Sequence, residues 1–449
     1  MSFFRTVRNL FSIAELKRKI LFTLGVLIVY RIGCHIPVVG VDTAGLALLM
    51  EGATNLSRLL GYFDVFSGGA LAQCTVFALG IGPYITASIM MQVLGFSIPH
   101  LEQLMKEGEY GRKVINQYTR YLALALSIFY SSMYVIPLEM KGLVLFPGWG
   151  FRIVFILSLT VGCMVVMWLG EQISLFGMGN GSSMIIFASI VARFPGYVIK
   201  TIQYARDGIL YTGGLPGVNW LVALAIWLFL FVITLCIIFL EKGERKIPVQ
   251  YARRIIGNRV YGGQNSFIPF KIQNAGVMPV IFASTFMIIP GSLAGMLSYK
   301  WAFLSGIASS LTLQTGFFYN FFQFFLIVFF YFLYTSMVFD PKELAENLKK
   351  SGGFIPGIRP GKQTADFLDM VLTRLGLVGS MYLAGLAALP NLMVFAIGMG
   401  SMPFFLGGTS LLIVVGVGLE TASQLEAYLV EHNYEGFLVS GKMKPRGLR

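Results

Sequence analysis

The chain has 449 residues, 56% of them hydrophobic and 12% charged, with a mean hydropathy of +0.74 and a formal net charge of +13. One water-soluble core cannot enclose so much apolar side chain, so the composition excludes a soluble globular enzyme and implies a polytopic membrane protein whose apolar surface also faces lipid. The four cysteines, Cys34, Cys74, Cys163 and Cys236, are scattered through apolar segments without a C-x-x-C pair, which argues against a disulfide framework or a metal site.

The N-terminal stretch MSFFRTVRNLFSIAELKRKI is amphipathic and basic, and no small-residue cleavage site follows the first apolar run, so it reads as retained sequence. Ten apolar runs follow, at about 20–37, 74–97, 120–138, 151–170, 183–200, 219–240, 271–291, 317–339, 371–390 and 402–425. The second is expected to be a membrane helix in two pieces. Cys74 to Leu94 carries no formal charge and is long enough to span as a helix. Before it, Leu59, Leu60, Phe63 and Phe66 recur at helical spacing around a lone charge, Asp64, until Gly68 and Gly69 break the pattern. Such a half-helix is too short to cross and is tolerated in a bilayer only against protein or water; composition alone suits, and indeed favours, an interfacial loop helix.

Lys and Arg gather before the first run, in loops 2/3, 6/7 and 8/9, and in the tail, while Arg31, Arg58, Lys141, Arg152, Arg193, Lys200, Arg206 and Lys300 fall on or near the opposite side. The positive-inside rule then places both termini in the cytoplasm. A Gly-rich stretch at 204–218 separates the fifth run from the sixth. It divides the chain into an N-terminal half, 1–203, a hinge loop, 204–218, and a C-terminal half, 219–449, with cytoplasmic loops at 241–270 and 340–370 and a basic tail. Each half holds an odd number of spans, so any repeat between them is inverted.

Loop 6/7 combines Arg245, Lys246, Arg253, Arg254 and Arg259 with alternating apolar residues and Gly262-Gly263, the pattern of a hairpin with a basic tip. Such a tip suits phosphates or an acidic protein groove, although topology alone also places basic residues in cytoplasmic loops. Loop 8/9 contains Gly357-Ile358-Arg359-Pro360-Gly361-Lys362, superficially like a nucleotide-binding loop. Pro356 stands where the first glycine of that motif belongs, and Gln363 replaces the hydroxyl that would hold magnesium, so nucleotide hydrolysis is excluded here. Arg359, between Ile358 and Pro360, sits in a stiff turn that can present one cation to a partner.

Ionisable residues within the spans are scarce. Glu420, Glu171, Arg31, His35 and Arg152 read as helix-end or snorkelling residues rather than a proton relay. His100 and His432 lack metal-ligand spacing, and no grouping of nucleophile, base and orienting residue emerges, which argues against an enzyme. Ile81 and Ile85 share one helix face around Gly82-Pro83, a spacing that by itself is ordinary packing.

Five stretches, in order, carry a wider resemblance: FSGGALAQCTVFALGIGPYITASIMMQ, GEQISLFGMGNG, AGVMPVIFAS, KKSGGFIPGIRPGKQTADFLD and GGTSLLIVV. Together they resemble the SecY family of protein translocation channels over nearly the whole chain. The resemblance implies an all-α, polytopic membrane protein of ten transmembrane helices in two inverted five-helix halves, around a central hourglass pore closed by a plug helix. It places the plug at 59–71, with Tyr62, Phe63, Asp64, Phe66, Gly68 and Gly69, and the pore ring at Ile81, Ile85, Ser182, Ile186, Ile281 and Ile413. Ser182 departs from the bulky aliphatic residue usual in the family, which implies a looser seal unless its neighbours compensate. A lateral gate is implied at Thr86 and Ile289, and a docking surface for a motor or ribosome at Arg245, Lys246, Arg253, Arg254 and Arg359. The implied partners are SecE-like and SecG-like small membrane subunits, the SecA motor ATPase, the ribosome, secretory and membrane protein substrates with signal sequences, and membrane lipids. No cofactor is implied, and the setting is a bacterial plasma (inner) membrane. An ion-coupled transporter with inverted repeats and a pore-less insertase or scaffold are the alternatives. The first lacks mid-membrane charges, and the second leaves the broken second span unexplained.

Overall fold

A computed structural model describes residues 13–43, 45–46, 64, 67–207, 216–251, 254–256, 259–261, 265–273, 275–297, 316–396 and 408–439. In chain order the helices are α1 (Ala14–Gly33), α2 (Gly82–Ser97), α3 (Pro99–Lys106), α4 (Glu109–Met140), α5 (Trp149–Phe176), α6 (Gly181–Arg206) and α7 (Pro216–Lys242). Strands β1 (Glu244–Tyr251), β2 (Arg254–Ile256), β3 (Arg259–Tyr261) and β4 (Asn265–Lys271) come next. Then follow α8 (Met278–Leu297), α9 (Phe317–Val338), α10 (Pro341–Lys350), β5 (Gly353–Phe354), α11 (Lys362–Ala396) and α12 (Gly408–Val439). Ten of these helices, α1, α2, α4 to α9, α11 and α12, coincide with the ten apolar runs of the sequence. Among the described residues, seven stretches of helix are long and apolar enough to cross a membrane on their own, so the chain is an integral membrane protein. The helices α1, α2 and α8 fall short of that measure for local reasons. Lys17, Arg18, Lys19 and Arg31 charge α1, α2 has only 16 residues, and the described apolar part of α8 is Met278–Met287.

The short α2 corrects one expectation. Cys74 to Ile81 is not the first half of a spanning helix but a chain of turns, with Cys74 at φ 48° and Gly80 at φ 54°. Pro83 explains where the helix begins: its ring disfavours helical backbone before it and it lacks an N–H to donate, so it fits in the first turn. Upstream, the segment spends its hydrogen bonds elsewhere. Val38 N–H donates to Cys74 O at 2.9 Å and Val76 N–H to Ile36 O at 2.9 Å, pairing the segment with the chain that leaves α1.

The chain forms two compact units, one of residues 1–199 and 417–449, the other of 200–416. In the first, α4 packs on α2 and α5. Its buried face includes Thr119, Ala123, Ser127 and Ser131, four residues apart each time, and small side chains let helix backbones approach where lipid supplies no hydrophobic drive. Gly162 of α5 shows how close the approach is, since a Cβ there would overlap the Val76 carbonyl oxygen. Between α4, α5 and the turns lies a core containing Val38, Leu71, Cys74, Tyr134, Leu138, Phe155 and Leu159.

In the second unit α9 packs against α8 and α11, and the two long polar loops fold into one module. The hairpin expected in loop 6/7 is present. Strand β1 runs antiparallel to β4 with Ile247 opposite Ile268, and β2 pairs with β3 at the tip. Loop 8/9 joins the same sheet, because β5 adds to the other edge of β1 through Gln250 opposite Phe354. Alternation along β1 turns Ile247 and Val249 inward onto Phe270, Leu348, Ile355, Leu368 and Leu372. The amphipathic α10 buries Ala345 and Leu348 against this core, and its start is fixed by Asp340, whose side chain accepts from the Lys342 N–H at 2.9 Å. The module is tied to the helices where the Tyr331 hydroxyl donates to Ile272 O at 2.9 Å.

Candidate functional site

Within the first unit, the residues expected to line a constriction occupy two helix starts. Ile81 is the N-cap of α2 and Ile85 lies one turn on, while Ser182 and Ile186 lie one turn apart at the start of α6. Ile81 and Ile186 are each 1% exposed, whereas Ile85 and Ser182 are half-buried. Ser182 is engaged in capping: Asn180 Oδ1 accepts from the Ser182 hydroxyl at 2.7 Å and from its N–H at 3.1 Å, satisfying an otherwise unpaired donor at the helix start. Within the second unit, Ile281 of α8 and Ile413 of α12 are both buried. Of the residues expected at a lateral gate, Thr86 is buried on α2 and donates its hydroxyl to Gly82 O at 3.0 Å, while Ile289 lies on α8 with its side chain outside the described residues.

Of the residues expected to form a plug, Asp64, Gly68 and Gly69 are described, and Tyr62, Phe63 and Phe66 lie outside the described residues. Asp64 is 1% exposed. Its carboxylate pairs with Arg193 Nη1 of α6 at 2.7 Å and accepts from the Ala72 N–H at 2.9 Å and the Ser67 hydroxyl at 3.3 Å. From α1, the Tyr30 hydroxyl donates to Ser67 O at 3.3 Å and Arg31 donates through Nη1 to Gly68 O at 3.1 Å. Tyr30 also shares a hydrogen bond with the Ser189 hydroxyl of α6 at 2.8 Å. Further along, the buried Tyr134 of α4 donates its hydroxyl to Leu71 O at 3.0 Å. The segment is therefore held from three helices of one unit, through one ion pair and several bonds to its own carbonyls.

Sequence reasoning singled out Asp64 as a lone charge but missed its neighbours Arg193, Arg31, Tyr30 and Ser189. The available signal was electrostatic: an isolated carboxylate in an apolar stretch needs a cation, and Arg193 is an isolated cation in another apolar stretch. Arg31 and Arg152 do not snorkel as single charges. Arg31 binds the Gly68 carbonyl, and Arg152 forms a bidentate pair with Glu139, with distances of 2.6 to 3.0 Å. Glu171 likewise pairs with Arg120 through two contacts of 2.8 Å.

The residues expected to dock partners lie in the loop module. Arg359 is exposed in the turn after β5, Arg245 and Lys246 are exposed on β1, and Arg254 lies on β2 with its side chain outside the described residues, as does Arg253 entirely. Lys246 is engaged by Glu244 at 3.0 Å and by the Phe267 ring, 4.9 Å from its centroid. Arg359 and the base of the hairpin share one scaffold, since β5 pairs directly with β1.

The short second helix preceded by a clamped non-helical segment, and the loop module built on a three-stranded sheet, recur in solved protein-conducting channels of the same fold. The structure is similar to a solved protein-conducting channel at 20% identity, with a TM-score of 0.64 and 92% of each chain covered. It is also similar to Sec61 in the canine ribosome-channel complex from the endoplasmic reticulum, at 19% identity, a TM-score of 0.62 and 92% of each chain covered. Residues 75–422 match the SecY family model. Protein translocase subunit SecY of Escherichia coli K12 is 44% identical over 443 residues, covering 97% of each chain. That of Streptomyces coelicolor is 43% identical over 442 residues, covering 95% of this chain and 98% of its own. The chain belongs to the SecY family.

Proposed function

We propose that this protein is a passive protein-conducting channel that passes unfolded secretory polypeptides across a bacterial plasma membrane and releases hydrophobic segments sideways into lipid. The observation that carries the reading is 44% identity over 97% of the chain to a protein translocase subunit. In this reading the aliphatic positions Ile81, Ile85, Ile186, Ile281 and Ile413 form a ring around the passing chain, with Ser182 beside it. A narrow apolar ring dewets and resists ions, while offering no fixed charge to trap a polypeptide. Residues 59–71 are the plug. Thr86 and Ile289 flank a lateral gate, where a signal helix exchanges water for lipid at about 25 cal/mol per Å² of apolar surface. The halves 1–203 and 219–449 part around the hinge loop 204–218, and both termini are cytoplasmic.

The chain supplies no driving force of its own. A SecA-type motor or a translating ribosome docks on Arg245, Lys246, Arg253, Arg254 and Arg359, and SecE-like and SecG-like subunits brace the halves. The solved ribosome-bound relatives, canine Sec61 and the yeast Ssh1 complex, support a ribosome as one such partner. A photo-crosslinking amino acid at position 186 tests the path: a precursor arrested midway is expected to form adducts there. Adducts at the lipid-facing Leu224, 65% exposed, with none at 186 or 81, would contradict it.

A further inference from the structure

We propose that Asp64 and Arg193 form a charge latch that holds the plug segment in its seat, a role that rests on the reading of 59–71 as a plug. The two residues are far apart in sequence, and the ion pair joins the segment directly to a membrane helix. Among the described residues, the other polar ties from the helices end on neutral groups, in the bonds from Tyr30 to Ser67 O, from Arg31 to Gly68 O and from Tyr134 to Leu71 O. Water can replace the donors to those carbonyls when the segment leaves. It cannot replace a countercharge while the carboxylate remains buried.

The geometry favours a latch over simple packing. Asp64 is 1% exposed, with Oδ2 on Arg193 and Oδ1 on the Ala72 N–H and the Ser67 hydroxyl, so the seated carboxylate is fully compensated. Arg193 is 27% exposed on its side chain, and the Tyr197 ring lies 5.6 Å from its guanidinium carbon, so it is steadied on α6 while staying partly uncovered. The segment lies directly on that helix. Gly68, at φ +69°, lies close to that helix, since a Cβ would make tight contacts of 3.0 Å with both Arg31 Nη1 and Ser189 Cα. With Arg193 neutralised, the carboxylate keeps its bonds from Ala72 and Ser67 but is buried without a countercharge, and the simplest relief is for the segment to move into water. The latch therefore depends on charge more than on shape.

The test is anion efflux from proteoliposomes holding the full chain with its small partner subunits, with precursor transport measured on the same preparations. Compared are wild type, Arg193→Gln, Arg193→Lys, Asp64→Asn and a deletion of residues 60–66. The latch predicts that Arg193→Gln and Asp64→Asn raise the resting leak at least about tenfold. Arg193→Lys, which keeps the charge, should seal as wild type does, and transport should persist in all. Should Arg193→Gln fail to accumulate, the nearly isosteric Asp64→Asn decides. A leaking deletion beside Arg193→Gln and Asp64→Asn proteins that seal like wild type would overturn the latch alone. A deletion that also seals would overturn the plug reading and the latch with it.

Discussion

Reversing one exposed charge, Arg359→Glu, is expected to reduce motor-driven precursor transport about a hundredfold while leaving the fold intact. The backbone around Arg359 is fixed without help from its guanidinium. The Thr364 hydroxyl donates to Arg359 O at 2.9 Å, the Ile358 N–H donates to Ile355 O at 3.1 Å, and Gly357 and Gly361 take φ values of 84° and 108°. The side chain is exposed and is not needed for packing, whereas Ile358 packs on the module core. A charge-assisted contact to a partner carboxylate contributes roughly 1.5–3 kcal/mol, and reversal adds repulsion, which together give a factor of about a hundred. The check is ATP-dependent transport beside thermal unfolding of the purified protein. Unchanged transport would make Arg359 an ordinary solvated loop cation.

The second large effect concerns the proposed constriction. Ile81→Asn combined with Ile186→Asn is expected to raise resting ion conductance by tenfold or more, roughly, because an unpaired amide in an apolar site recruits water at a cost of about 1–3 kcal/mol if it stays dry. Both isoleucines are 1% exposed, so neither is a lipid-facing position whose change would pass unnoticed. Ile186→Leu serves as the control and should conduct as wild type does. Conductance unchanged in the double variant, measured in planar bilayers, would remove these residues from the ion barrier.

Much of the helical frame was legible in the sequence because membrane helices announce themselves by long apolar runs, and the loop 6/7 hairpin because alternation and glycine pairs are local. The residues 74–81 were not. They are as apolar as a span, and only the pairing of Pro37 with Thr75 and the break at Gly82-Pro83 make them turns. Hydropathy cannot distinguish buried turns from buried helix. Ser182 was legible as an exception to a family pattern, yet its bond to Asn180 depends on a cap geometry that only coordinates reveal. The joining of loop 8/9 to β1 was equally hidden, since strand β5 has only two residues, too few to carry a period. The pairing of Asp64 with Arg193 links two distant stretches, each of which, taken alone, reads as a lone charge.

The most direct test of the channel is passage of an unfolded secretory precursor into proteoliposomes holding this chain, its small partner subunits and a SecA motor with ATP. Protease-protected precursor that appears with motor and ATP, and is absent without either, is the predicted result. No protected precursor under any condition, together with proton- or sodium-driven uptake of a small solute, would contradict the channel and establish a coupled transporter instead.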